Sequence, residues 1–258
     1  SNDLACYGQA NVKTPNLDKL AREGVRYTKV YATSPVCAPS RSAYITGWYA
    51  TTTDMHHMRS HRDDNFKLPA GVRPITHMLK DEGYYTSNIT NIGKRVVGTG
   101  KLDFNFVNEG PVFDGKDWDQ LKLKEPFFAQ INLPEAEYDI YDRKSAEKSR
   151  VKWVGESWHP KIATPQNVTP PPYYPDHKTT KEEWARYLNS ISGTDVRIGW
   201  ILEELKNDKY PYQSIDSGKF YEKINLKLSS NPNVNFFENL DEIKSENSLI
   251  FNSVIKDE

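Results

Sequence analysis

The sequence predicts an α/β fold, because helical and strand patterns alternate along the chain. A helical pattern between residues 14 and 24 precedes a strand pattern over 25–32, and the same order returns at 74–81 and 84–89. A third strand is predicted at 126–133, where a continuous apolar run lies between prolines. This alternation is typical of a mostly parallel sheet that lies between helices.

The two short helices have recognisable ends. Thr14 is a typical N-cap before Pro15, and Gly24 is a typical stop. The helix over 74–81 ends before Gly83. Its apolar side consists of Ile75, Met78 and Leu79.

A long helix is predicted from Thr180 onward, because Thr180 and Glu183 have the spacing of a capping box. Apolar residues keep helical spacing over the next turns. They are Trp184, Tyr187, Leu188, Ile191, Ile198, Ile201, Leu202 and Leu205.

Composition excludes several classes of partner. The chain has 258 residues and a formal net charge of −1, so it carries no basic footprint for nucleic acid. Cys6 and Cys37 are too few for a disulfide framework. No apolar run reaches the length of a membrane span, and the first residues show no signal-peptide pattern. We therefore expect no nucleic-acid partner and no membrane span.

Residues 34–47 carry the chemistry that the sequence predicts. Cys37 lies just ahead of a predicted helix that has Pro39 in its first turn and Gly47 as its stop. Unpaired N–H groups and the positive end of the helix dipole would face an anion there. Arg41, one turn further in, adds planar donors that suit an oxyanion.

These residues resemble the signature of the type I sulfatases, Cys-x-Pro-Ser-Arg followed by Thr-Gly, with Thr46 and Gly47 as the final pair. The resemblance implies an alkaline-phosphatase-like sandwich and a sulfuric ester hydrolase. It implies that a formylglycine-generating enzyme converts Cys37 to formylglycine, whose hydrated aldehyde is the nucleophile. It also implies a Ca²⁺ or Mg²⁺ ion, a sulfated small molecule or saccharide as substrate, and a periplasmic or secreted location.

The same resemblance predicts an incomplete metal site. In the family, an Asp-Asp pair ends the first core strand, and an Asp-His or Asp-Asn pair ends the last one. Asp3 does not replace the first pair, and no such strand follows the long helix. We expect Cys37, as formylglycine, to be the metal ligand that remains, and the sheet to be incomplete at both ends. A Ca²⁺ or Mg²⁺ ion would then bind poorly, and turnover would be weak.

Two domains are predicted from the extent of the resemblance. Residues 1–207 form a sulfatase-like catalytic domain, and residues 208–258 are an unrelated or fused segment. The second segment has a weak similarity to a piece of a lycopene cyclase. It carries no Gly-rich dinucleotide fingerprint.

Two lysines are candidates for binding the sulfate. The family carries a Gly-Lys-aromatic-His element here, and Gly93-Lys94 matches its start, with Val96 at the histidine position. Gly100-Lys101 also matches, as in a branch that lacks the histidine. The sequence slightly favours Lys101, and Lys94 stays open.

The other candidates are a serine and two histidines. The resemblance implies a histidine after the 126–133 strand, and His159 is the residue that could fill that role. We expect Ser40 and His57 to line the substrate cleft. His57 and His61 have i,i+4 spacing, but a loop or the rim of the site is favoured over a metal site.

The sequence leaves two alternatives to a sulfatase. One is a non-catalytic sulfatase-like fragment or chimeric product, which keeps the architecture without the metal. The other is a phosphatase or phosphonate hydrolase of the same superfamily.

Overall fold

The computed structural model describes residues 3–58, 64–93, 95–135 and 162–208. Lys94, His61, His159 and residues 209–258 lie outside this part. The second predicted domain and two of the predicted site residues are therefore not placed, and the domain boundary stays a prediction.

A mostly parallel sheet forms the centre of the described part. Strand β1 (Tyr85–Ile92) pairs in parallel with β3 (Gly115–Asp117) and β4 (Phe127–Ile131), and antiparallel with β2 (Val96–Val97). Ile89 of β1 pairs with Ile131, the last residue of β4. The strands predicted at 84–89 and 126–133 are confirmed, whereas β2 and β3 are too short to have a sequence pattern of their own.

The strand predicted at 25–32 is wrong. Every one of these residues is described, and they form an irregular segment without strand pairing. Val30 and Tyr31 are 75% and 84% exposed. Alternating side chains indicate that a segment could present one face to a core, but a strand also needs a hydrogen-bonded neighbour. Among the described residues, this segment has none.

The predicted helices are present with small shifts. They are α1 (Pro15–Glu23), α2 (Cys37–Thr46), α3 (Ile75–Asp81) and α5 (Lys178–Asn207). The one-turn α4 (Trp118–Leu121) has no counterpart in the sequence prediction. A single turn of 3₁₀ helix also covers Ala5–Tyr7. No helix in the described ranges has the length and apolarity needed to cross a membrane.

Helix α5 begins earlier than the capping box predicts. Its N-cap is His177, whose Nδ1 accepts a hydrogen bond from the Thr179 N–H at 3.2 Å. Thr180 therefore lies inside the first turn, and the predicted pairing of Thr180 with Glu183 is not the cap. An imidazole nitrogen satisfies one of the unpaired donors of the first turn here, as a hydroxyl would in a capping box.

Helix α1 is capped from a distant part of the chain. Thr14 is at the N-cap, but its hydroxyl donates to Asp18 at 3.0 Å and makes no cap. Asp195 on α5 accepts instead from the backbone N–H groups of Asn16 and Leu17, at 3.2 and 2.8 Å. The first turn of α1 is thus fixed directly to the middle of α5.

Two of the apolar clusters show how the helices pack against one another and against the sheet. One joins α2 and α3 and includes Ala43, Ile45, Met55, Phe104, Phe106 and Val112. The other joins β1, β4, α4 and α5 and includes Ile89, Ile92, Val96, Trp118, Leu121 and Ile201. The α/β fold class predicted from the sequence is confirmed.

Candidate active site

The first turn of α2 presents Cys37. Val36 is the N-cap, so Cys37 is the first residue of the helix, one position further in than the sequence predicts. Its side chain is 7% exposed, and its Sγ lies 3.8 Å from Met58 Sδ. Gly47 ends the helix with a φ of 71°, a left-handed conformation that favours glycine. Cys37 is therefore held at the positive end of a short helix dipole.

Arg41 faces the carboxyl end of β4. Its Nη1 donates to Asn132 Oδ1 at 2.8 Å and to the Lys101 carbonyl at 3.2 Å. Asn132 directly follows β4, and Lys101 lies in the loop after β2. The guanidinium thus joins three parts of the fold that are distant in sequence. The carboxyl ends of parallel strands are a usual position for ligand sites.

Lys101 lies beside Arg41 and is mostly buried. Its side chain is 23% exposed, and its Nζ is 3.9 Å from Asp103 Oδ2. Asp103 is 5% exposed and has a φ of 51°. A non-glycine residue seldom adopts that conformation, so this turn is held by its surroundings. The Lys101 carbonyl contacts Arg41 on α2, whereas Lys94 is outside the described residues, so the choice between the two lysines stays a prediction.

Ser40 lies on α2 and His57 lies outside any helix or strand, and their role in substrate binding stays a prediction. Ser40 is half-buried, and its N–H donates to the Val36 carbonyl at 2.9 Å. His57 is exposed, its ring centroid is 4.1 Å from that of His56, and its carbonyl accepts from Asn105 Nδ2. The backbone before Met58 is therefore anchored, and His57 stays a prediction as a cleft residue.

Three asparagines at the site were missed by the sequence analysis. Asn132 accepts from Arg41, and Asn88 on β1 contacts Asn132. The backbone N–H of Asn105 donates to Ser42 Oγ on α2 at 2.8 Å, and its side-chain Nδ2 donates to the Met55 carbonyl at 2.9 Å. None of the three had a usable signal, and Asn132 and Asn88 lie inside the strands predicted at 126–133 and 84–89. The hydrogen-bond partners of Asn88 lie 12 and 44 positions away in sequence, and those of Asn105 lie 48 to 63 positions away.

The described residues do not fit a Ca²⁺ or Mg²⁺ ion. Such an ion takes about six or more oxygen ligands, with carboxylates among them. Within the described ranges, no group of three or more His, Cys, Asp or Glu side chains is placed to hold a metal. Asp3 accepts from the Tyr187 hydroxyl at 3.0 Å, and Asp103 faces Lys101.

The fold and the arrangement of Cys37, Arg41 and Lys101 together define a class of protein. In this α/β fold, Cys37 lies at the N-terminus of a helix. Arg41 and Lys101 lie beside the end of a strand, and this arrangement suits an anionic substrate. The Sulfatase family model matches residues 1–215. The chain belongs to the sulfatase family. The resemblance carried by residues 37–47 is thereby confirmed.

Curated relatives of several kinds are similar to the chain. An ulvan-active sulfatase of Formosa agariphila is 27% identical over 238 residues, covering 78% of this chain and 38% of that protein. The mouse steryl-sulfatase is 40% identical over 92 residues, covering 34% of this chain and 15% of that protein. Dog arylsulfatase H is 53% identical over 93 residues, covering 34% and 16%. The chain spans less than half the length of these relatives.

Solved structures are similar at lower identity. The structure of Ps i-CgsB is 16% identical with a TM-score of 0.49, and covers 80% of this chain and 52% of that chain. The phosphonate monoester hydrolase of Agrobacterium radiobacter is 17% identical with a TM-score of 0.46, and covers 81% and 57%.

Proposed function

We propose that this protein hydrolyses sulfuric esters, with Cys37 as the residue that becomes formylglycine. The observation that carries the proposal is the position of Cys37 at the start of α2, with Arg41 one turn further in and bonded to the Lys101 carbonyl. Membership of the sulfatase family supports the reaction class. When formed, the hydrated formylglycine would supply the nucleophilic oxygen.

The cations have a role that follows from the charge of the substrate. A sulfate ester spreads negative charge over its non-bridging oxygens, and positioned donors stabilise charge that develops during transfer. We assign Arg41 to hold the group at position 37 and Lys101 to hold the sulfate. The helix N-terminus adds backbone N–H groups of the same polarity. The family's Ca²⁺ or Mg²⁺ ion enters none of these roles.

A sulfated saccharide is the favoured substrate class. The ulvan-active sulfatase aligns with 78% of this chain. The steryl-sulfatase relative aligns with only 34% of it, which makes steryl and aryl sulfates the second choice. A periplasmic or secreted location is proposed on the same family grounds.

The modification of Cys37 is the first test. Co-expression with a formylglycine-generating enzyme should produce the thiol-to-aldehyde mass change in the peptide that contains Cys37. Cys6 is an internal control, because it has no proline and arginine at the matching positions and should stay a thiol. Pro39→Ala should reduce conversion. Unmodified Cys37, under conditions that convert a known sulfatase, would contradict the proposal.

Turnover tests the substrate class. The modified protein should release inorganic sulfate from sulfated ulvan oligosaccharides faster than from a steryl sulfate. Cys37→Ser, expressed in the same way, is the matched control and should release none. Faster cleavage of a phosphate or phosphonate ester than of any sulfate ester would replace the sulfatase assignment with the other activity of the superfamily.

A further inference from the structure

We propose that Asn88 and Asn132 are positioning residues, which hold Arg41 and the Gly100–Lys101 turn together as one anion-binding unit. Arg41 Nη1 donates to Asn132 Oδ1 at 2.8 Å, and Asn132 Nδ2 donates to Asn88 Oδ1 at 2.8 Å. Asn88 Nδ2 then donates to the Gly100 carbonyl at 2.8 Å. Arg41 Nη1 also donates to the neighbouring Lys101 carbonyl at 3.2 Å, which closes the ring.

The two ends of this chain of hydrogen bonds fix its direction. A guanidinium only donates, so Asn132 must turn its oxygen toward Arg41 and its NH₂ toward Asn88. Asn88 must therefore accept with its oxygen and donate with its NH₂, and a carbonyl such as that of Gly100 only accepts. Each amide has one orientation that satisfies both neighbours. A carboxylate cannot replace either residue without losing one bond.

The residues of this hydrogen-bonded ring are held by the backbone of the sheet. Asn88 is 6% exposed and lies on β1, while Asn132 directly follows β4. The Asn132 carbonyl accepts from the Thr99 N–H at 2.9 Å, and the Gly98 N–H donates to Thr90 O at 2.8 Å. The amide side chains therefore transmit the geometry of the sheet to Arg41.

The functional consequence rests on the proposed sulfatase activity. Two cations bind a tetrahedral anion well only when their spacing is set before the anion arrives. The ring fixes Arg41 relative to the backbone that carries Lys101, which limits the spacing that the two cations can adopt. Asn88 and Asn132 need no contact with the substrate for this, so their effect passes through Arg41.

The first experiment measures the positioning itself and does not depend on activity. Rotation of the Arg41 guanidinium is followed by NMR of its ¹⁵Nη groups, assigned with Arg41→Lys. Rotation should become faster in Asn132→Ala, and also in Asn88→Asp, which keeps the acceptor for Asn132 and loses the donor to Gly100. Asn189→Ala is the control, because Asn189 is also buried and bonds twice, to the backbone of Ala163. Unchanged rotation in both site variants overturns the inference.

The second experiment separates this inference from the proposed function. Binding of inorganic sulfate, measured by calorimetry, should weaken roughly tenfold in Asn132→Ala and Asn88→Asp, and should not change in Asn189→Ala. Asn132→Asp should weaken it more, because a carboxylate then neutralises Arg41. Full sulfate affinity in the site variants overturns the inference. Faster Arg41 rotation with no sulfate binding by the unchanged protein would contradict the proposed function and leave the positioning role standing.

Discussion

Asp114 is a single residue through which α3, β1 and β3 are held together. Its Oδ2 accepts from the Thr86 N–H and the Thr86 hydroxyl, both at 2.9 Å, and its Oδ1 lies 3.0 Å from Lys80 Nζ. Partial burial would raise the pKa of Asp114, but the hydrogen bonds from Thr86 and the charge of Lys80 outweigh it and hold the pKa below its ordinary value. The folded state therefore favours the ionised carboxylate.

Replacement of Asp114 by Asn should lower the free energy of unfolding at pH 7 by about 1 kcal/mol, because one charge-assisted contact is lost. Because the folded pKa is depressed, the stabilisation by Asp114 is present above the unfolded pKa of about 4 and is lost as pH falls below it. Urea denaturation between pH 7 and pH 3 should show this loss in the unchanged protein and less of it in the variant. Asp119→Asn is the control, since the Asp119 side chain is 91% exposed. Parallel pH curves for the protein and Asp114→Asn would contradict the prediction.

At the scale of an element, the turn after β2 depends on close backbone approach at Gly98. A Cβ at Gly98 would lie 2.6 Å from the Ile89 carbonyl oxygen and 3.4 Å from that of Asn132. Both are backbone atoms of the sheet or its end, so neither can move away alone. The absence of a side chain lets the turn lie against the junction of β1 and β4.

Gly98→Ala should therefore destabilise the protein by about 1–3 kcal/mol, the usual cost of overpacking. The matched control is Gly71→Ala, where a Cβ would meet nothing within 4 Å and only the φ of 84° opposes the substitution. Urea denaturation gives both changes in stability. The ring at Arg41 should also loosen in Gly98→Ala, which weakens sulfate binding, but it should not loosen in Gly71→Ala. Equal sulfate affinity in the two variants would show that this turn does not support the site.

Elements were predictable from the sequence where the pattern is long and local. The long helix α5 has repeated apolar spacing, β4 lies in a continuous apolar run between prolines, and the helix around Cys37 has a proline near its start and a glycine at its end. The segment 25–32 was mispredicted because alternation does not reveal a pairing partner. The asparagine ring was not predictable, since Asn88 and Asn132 are 44 positions apart and neither carries a local pattern.

At the scale of the whole molecule, α5 connects the other parts. Asp195 in the middle of α5 caps α1. Asp208, the C-cap of α5, accepts from the Trp118 indole at 2.7 Å and lies 2.9 Å from Lys122 Nζ. Between them, Arg197 Nη2 lies 2.8 Å from Glu135 Oε1. Glu135 follows Asn132 by three positions, so this ion pair fixes the segment that leaves β4 and carries the site residue.

The Arg197–Glu135 pair should be costly to break on one side and cheap to remove entirely. The two side chains are 0% and 3% exposed, and burial lowers the pKa of Arg197 while the charge of Glu135 opposes that change. Arg197→Met or Glu135→Leu alone leaves a buried charge and should cost about 3–5 kcal/mol. The double variant should recover most of that loss, because apolar side chains of similar size replace both ions.

Urea denaturation of the unchanged protein, the two single variants and the double variant gives the coupling energy between Arg197 and Glu135. Arg95 and Glu203 are the control pair, since their side chains are 54% and 52% exposed and should couple weakly. If the two buried substitutions add without coupling, the pair does not join α5 to the end of β4 energetically.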